Sequence, residues 1–305
     1  MAIIVNTNMS ALKTQKNLNS ATSSLNKSLE RMSTGYKINR AADDAANLYV
    51  ATGLETQIRG SKVAQNNIET GTNVLAIMEG DLDVILDNLN RIRDLAVQAS
   101  NSIYSDDSIN AIKEEVSQRL QEINRISASS NFNGLTLLDG NSKLADIGLR
   151  LQVGANSEET ANCVTIGEDF FTPMNSTTLG LDTSRSLPTG SNMDKNAGLQ
   201  GNLDKAFLNA SNSAQYIDFL DTAINDIANK KAKIGATQNR LDSAFDSLTT
   251  TIENNTAAKS TIMDADIAEE SANYTRYQIL QQTTSSLLVQ ANALPQIAIS
   301  LVQGG

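Results

Sequence analysis

Residues 217–252, IDFLDTAINDIANKKAKIGATQNRLDSAFDSLTTTI, decide the fold. Ile217, Leu220, Ile224, Ile227, Ile234, Leu241, Phe245, Leu248 and Ile252 recur at alternating steps of three and four, with Lys231 and Gln238 in the seam's remaining places. A heptad pattern sustained this long specifies a long helix whose apolar seam must meet other helices. Partner seams lie upstream. Leu82, Ile85, Leu89, Ile92, Ala96 and Ala99 keep the same steps, and Ile109, Ile112, Val116, Leu120 and Ile123 resume them after the polar break SIYSDDS at 102–108. The first of these helices is expected to stop near Ser102. Asp106 or Asp107 is the expected N-cap of the next, with Glu114 and Glu115 near enough to its start to be favoured by the helix dipole.

Proline placement agrees with long helices. The three prolines are Pro173, Pro188 and Pro295, so residues 1–172 contain none and two of the three mark the middle of the chain. Proline breaks helix interiors, which predicts a helical N-terminal half, a break and a helical C-terminal half. Pro295 is expected to limit any helix that reaches it. The predicted class is mainly α: an elongated antiparallel helical bundle or coiled coil built from both chain ends, with a small β-hairpin region in the middle.

Composition removes most enzyme classes. Among 305 residues there is no histidine, which leaves no Ser-His or Cys-His pair and no imidazole ligand, so no enzyme, metal or cofactor is expected. Net charge is -10, and the sole basic cluster is Lys230, Lys231 and Lys233, which opposes binding to nucleic acid or anionic lipid. Cys163 is alone, so the fold must come from packing rather than an internal disulfide. The start MAIIVNTN has neither a basic flank nor a cleavage site, and the apolar runs are too interrupted for membrane insertion.

Between the helical halves, residues 133–171 change character. Asp139-Gly140 and Gly154-Ala155-Asn156 are expected to be hairpin connections, and the alternation of Leu149, Leu151 and Val153 predicts a strand covered on one face. Residues 172–200, rich in Ser, Thr and Gly, are expected to form a short exposed tip, where Ser176, Thr177, Thr178 and Ser184 are candidate acceptors of O-linked sugars. The expected division is therefore 1–44 with 262–305 as a terminal coiled coil, 45–171 with 201–261 as a helical shaft, and 172–200 as the tip. Asn-x-Ser/Thr matches at Asn8, Asn175, Asn209, Asn254 and Asn273 carry little weight in a chain this rich in those residues.

The chain ends carry their own seams. Leu18, Thr22, Leu25, Leu29 and Met32 near the start, and Leu280, Thr284, Leu287, Ala291, Leu294, Ala298 and Leu301 near the end, are spaced for a coiled coil between the termini. Both seams are diluted by Ser, Thr, Asn and Gln, so one pair buries too little apolar surface to offset the entropy of ordering it. Neighbouring molecules are expected to complete it. The acidic cluster Asp264, Asp266, Glu269 and Glu270 reads as a solvated helix face, and Asp43-Asp44 as a helix start or hinge.

Three separated runs, LERMSTGYKINRAADDAANLYV, LNRIRDLAVQASN followed by SQRLQEINRISASSNFNGLTLLDG, and ADIAEESANYTRYQILQQTTSSLLVQANALPQIAISLV, together resemble bacterial flagellin. The resemblance leaves only about residues 172–200 unmatched. Asn47 stands where the family usually carries glycine. The resemblance implies a subunit exported unfolded through the flagellar secretion channel, without a cleaved signal, and polymerised outside the cell into the flagellar filament. Its implied partners are other copies of itself, an export chaperone on the C-terminal segment, and the filament cap and hook-junction proteins. The related hook-filament junction protein is the alternative reading. Along LNRIRDLAVQ, Arg91, Leu95 and Gln98 are spaced as a second stripe beside the bundle seam. The resemblance implies that this stripe and Glu115 contact neighbouring subunits and are read on the monomer by the flagellin-sensing Toll-like receptor.

Overall fold

The computed structural model describes residues 8–141, 144, 147–181 and 198–303. Helices α1 (Met9–Thr34), α2 (Ala45–Ala99) and α3 (Asp106–Ser129) come first. Strands β1 (Asn131–Phe132), β2 (Leu135–Thr136) and β3 (Leu149–Gln152), a single turn α4 (Glu159–Asn162) and β4 (Cys163–Ile166) follow. Helices α5 (Gly198–Ala206), α6 (Ala210–Met263) and α7 (Ile267–Gln303) complete the chain. The fold is mainly α with small antiparallel hairpins in the middle. It divides into two compact units, Met1–Ile58 with Ile252–Gly305 and Arg59–Thr251. The sequence-based limits near 44 and 262 fall at the start of α2 and the end of α6.

In the unit Arg59–Thr251, α2 has two helical neighbours. Arg91 Nε donates to Glu115 of α3 at 2.8 Å and Arg119 Nη1 to Asn88 Oδ1 at 3.2 Å, so α3 runs antiparallel to α2. Gln65 donates to Thr249 at 2.8 Å, Gln238 to Glu79 at 3.2 Å and Arg93 to Asp221 at 2.6 Å, which sets α6 antiparallel to α2 as well. A helix with two neighbours must bury a wide stripe. Leu82, Ile85, Leu89, Ile92, Leu95, Ala96 and Ala99 are accordingly all buried.

The seam of α6 departs from its predicted phase. Leu220, Ile227, Ile234, Leu241 and Leu248 are buried as expected, but the alternate places belong to Ala223, Lys230 and Thr237 rather than to Ile224, Lys231 and Gln238. Ile224 and Phe245 are half-buried beside the core. Small or stem-like side chains take the tight positions, and the larger ones widen the stripe at its edge. Lys230 is accommodated because its Nζ donates to both the carbonyl and the hydroxyl of Thr172, each at 3.0 Å. Burial lowers the pKa of this ammonium to about 8; the charge of Lys233 acts in the same direction and Asp169 opposes it.

Helix ends differ from expectation in small ways with clear causes. Ser105 caps α3 by accepting from Ser108 N, which places Asp106 and Asp107 in the first turn, where carboxylates complement the dipole. Helix α2 ends at Ala99. Asp44 caps α2 by accepting from Asn47 N at 3.0 Å, and Asn47 Nδ2 reaches back to the other Asp44 oxygen at 2.7 Å. Asparagine at this position therefore adds a bond to the cap that glycine has no side chain to make. Asp43 pairs with Lys27 at 2.7 Å, and that hydrogen bond lowers its carboxyl to about 2.

The β-region corrects the expected turns. The first hairpin, Asn131↔Thr136 and Phe132↔Leu135, turns at Asn133-Gly134, both with positive φ (49° and 81°). Asn-Gly is the favoured pair for such a turn. Asp139-Gly140 lies beyond it. Strands β3 and β4 pair from Leu149↔Ile166 to Gln152↔Cys163, so Gly154-Ala155-Asn156 sits in a longer connection that includes α4. Leu151 and Val153 are buried, as the alternation implied. The hairpin lies against α2 at Gly71, where an added Cβ would stand 2.2 Å from Leu151 Cδ1.

Candidate assembly surfaces

In the unit Met1–Ile58 with Ile252–Gly305, α1 and α7 pair antiparallel. Asn8 Nδ2 donates to the Ala291 carbonyl at 2.8 Å, Gln281 Nε2 to Thr22 Oγ1 at 3.2 Å and Arg31 Nη1 to Glu270 Oε1 at 2.7 Å. Backbone bonds close the base of the unit: Lys37 N donates to the Met263 carbonyl at 2.6 Å and Ala265 N to the Gly35 carbonyl at 2.8 Å.

The seam between them is again one place out of the predicted phase. Leu18, Leu25 and Met32 lie half-buried on it, but its buried places on α1 are Ala21 and Ser28, not Thr22 and Leu29. On α7 Thr284 and Ala291 belong to it, whereas Leu280 and Leu287 give way to Gln281 and Leu288. Leu29, Leu280 and Leu287 are exposed at 52%, 44% and 49%, together with Met9, Leu12, Ile279 and Val289. A single partner covers only a narrow seam. Here the fully buried places go to the small residues Ala21, Ser28 and Ala291, while Leu29, Leu280 and Leu287 face outward. The side chains of Leu294 and Leu301 lie outside the described residues.

The acidic cluster is more than a solvated face. Asp266 caps α7 by accepting from Ala268 N at 2.8 Å and Glu269 N at 3.2 Å, Asp264 accepts from Ser260 Oγ at 2.6 Å, and Glu270 is buried against Arg31. Among the described residues no group of three or more cysteine and acidic side chains is placed to hold a metal ion, and no helix is long and apolar enough to cross a membrane.

On α2 the second stripe differs from expectation. Leu95 is a core residue, 2% exposed, because the wide buried stripe of a two-sided helix includes it; it offers no apolar anchor at the surface. Arg91 and Gln98 are exposed, and Arg91 pairs with half-buried Glu115, whose hydrogen bond raises the guanidinium pKa. Upstream at heptad spacing stand Val84, Ile77, Thr70 and Val63, all exposed. One apolar row on the outside of α2 thus runs into Arg91 and Gln98. Its sequence signal is plain in retrospect: three large apolar residues spaced by multiples of seven, off the bundle seam.

The predicted tip begins with packed chain. Met174, Ser176, Leu179 and Leu181 are buried, Met174 N donates to the Leu138 carbonyl at 3.0 Å, and Ser176 N donates to Asn124 Oδ1 at 2.8 Å. Ser176 is thereby removed as an accessible sugar acceptor, whereas Thr177 and Thr178 are exposed. Ser184 lies outside the described residues.

The chain's relatives match both helical regions. Residues 5–143 match the bacterial flagellin N-terminal helical region and residues 217–302 the bacterial flagellin C-terminal helical region. The flagellar filament core protein flaB2 of Brachyspira hyodysenteriae is 36% identical, with 99% of this chain aligned to 100% of that protein. The flagellin of Bacillus subtilis (strain 168) is 34% identical, with 98% of this chain aligned to 99% of that one. A crystal structure of Bacillus cereus flagellin, 26% identical, superposes with a TM-score of 0.45 over 64% of this chain and 94% of that one. With both helical regions matched and relatives aligned end to end, the chain belongs to the bacterial flagellin family.

Proposed function

We propose that this chain polymerises into the flagellar filament, and that the exposed leucines of α1 and α7 are the contacts that drive it. The observation that carries the reading is the inverted pair: Ala21, Ser28 and Ala291 inside, Leu29, Leu280 and Leu287 outside. An apolar surface of this kind in water is stabilised by burial against further copies. The outer row of α2, ending in Arg91, Gln98 and Glu115, supplies a second contact to neighbouring subunits. On the free monomer it is the surface read by the flagellin-sensing Toll-like receptor. The C-terminal segment is held by an export chaperone before assembly, the chain leaves through the flagellar secretion system, and cap and hook-junction proteins meet its filament at the two ends. Of the candidate sugar acceptors among the described residues, Thr177 and Thr178 are the exposed ones.

Seeded growth tests the central claim. The parent chain is expected to lengthen filament seeds without limit, and a Leu280→Ser, Leu287→Ser variant to fold yet raise the critical concentration at least tenfold. A parent that binds seeds and stops their growth is a hook-filament junction protein instead. A double variant that assembles like the parent overturns the role of these leucines.

A further inference from the structure

We propose that Asn8 and Pro295 form a matched latch that sets the register of α1 on α7. Helix α7 runs unbroken from Ile267 to Gln303, through Pro295, where the sequence pointed to an interruption. Proline has no N–H, so the carbonyl four residues earlier lacks the donor that an α-helix supplies. The residue four before Pro295 is Ala291. Ala291 is buried at 7% exposure, in a place where a carbonyl without a partner is costly. Asn8 Nδ2 donates to this same carbonyl at 2.8 Å.

The other atom of the same amide is also used. Asn8 Oδ1 accepts from Ala11 N at 3.0 Å and caps α1. One side chain therefore starts the first helix and repairs the last. Gln281 with Thr22 and Arg31 with Glu270 also pin the pair among the described residues, but each joins two side chains and neither answers a gap in a helix backbone. The Asn8 link engages a backbone carbonyl that only a proline leaves open, so it marks a single place along α7. Slipping the helices by one turn would leave that carbonyl unpaired and Asn8 without its acceptor.

A double-mutant cycle on the full-length chain tests this. Asn8→Asp and Asn8→Ser both keep a capping oxygen and lose the Nδ2 donor; the second adds no charge. Pro295→Ala restores the intrahelical N–H. Amide exchange of residues 9–34 is read in the assembled polymer, a readout that rests on the function proposed above. Each Asn8 variant is expected to lower protection about tenfold with Pro295 present, and less than about twofold in the Pro295→Ala background. Equal losses in both backgrounds, or no loss in either, would overturn the latch. So would a Pro295→Ala chain that loses helix, because alanine there should only regularise the turn. If the parent forms no polymer, the function reading fails separately and the cycle is read on the monomer's thermal unfolding, where equal losses in both backgrounds, or none in either, would again overturn the latch.

Discussion

Replacing Leu95 with alanine separates the two sides of α2 more sharply than any surface change. Leu95 is 2% exposed within the apolar core formed with α3 and α6. Truncating such a leucine removes transfer free energy and leaves a cavity that the long helices cannot close, a cost of about 2 to 4 kcal/mol. For a unit of this size that lowers the melting temperature by roughly 10 °C. The assay is urea and thermal unfolding of the monomer followed by helix circular dichroism, with Gln98→Ala measured beside it. Gln98 is exposed three residues away, so its variant should melt like the parent while seeded growth or receptor signalling falls. The reasoning is refuted by the reverse pattern: Leu95→Ala melting like the parent while assembly or signalling is lost would make Leu95 a contact residue and not a core one.

Two further outcomes follow from buried positions. Unfolded, the Lys230 ammonium keeps its proton up to about 10.5, whereas in the folded chain burial drives it off near pH 8, so its penalty on stability is present below pH 8 and is relieved as pH rises toward 10.5. Lys230→Met should therefore raise stability at pH 7 by roughly 2 kcal/mol and erase that part of the pH-dependent gain, compared variant against parent by urea midpoints; an unchanged or lower midpoint at pH 7 would contradict it. Gly148 has φ +68° and an added Cβ would stand 2.3 Å from the Ile166 carbonyl oxygen. Gly148→Ala should lower the urea midpoint by the equivalent of at least about 1 kcal/mol and speed amide exchange in β3 and β4, and a variant as stable as the parent would show that this turn is free to move.

Period and composition carry only part of such a structure. Long helices, a central β-region and the absence of histidine chemistry were legible from heptad spacing, proline placement and residue counts, and three separated motifs carried the family. The phase of each seam was not. In α1, α6 and α7 the spacing offered one alternate row, and packing turned its neighbour inward: Ser28 buried in place of Leu29, Lys230 buried in place of Lys231, and Gln281 half-buried in place of exposed Leu280. Periodicity says that residues recur on one face, but the neighbours present decide how wide that face is and which edge of it faces water. Leu95 shows this in one residue, since a second neighbour turned an apparent outer leucine into core.

Chemistry that acts within a few residues is written locally, even though the hairpin turn expected at Asp139-Gly140 is made at Asn133-Gly134 and the cap expected at Asp106 or Asp107 is Ser105, whereas chemistry that acts across the fold is hidden. Asn133-Gly134 announces its turn, and Asp44 with Asn47 announces a helix start, because those atoms meet through short stretches of backbone. Thr172 beneath Lys230 and Asn124 beneath Ser176 are separated by many residues in sequence, and only packing brings them together. Pro295 draws the distinction most clearly. Its missing N–H is a property of the sequence and requires that the Ala291 carbonyl find another donor or break the helix. That the donor is Asn8, at the opposite end of the chain, was decided by the antiparallel docking of α1 on α7, because a hydrogen bond needs atoms within about 3 Å and sequence spacing sets no such distance between remote residues.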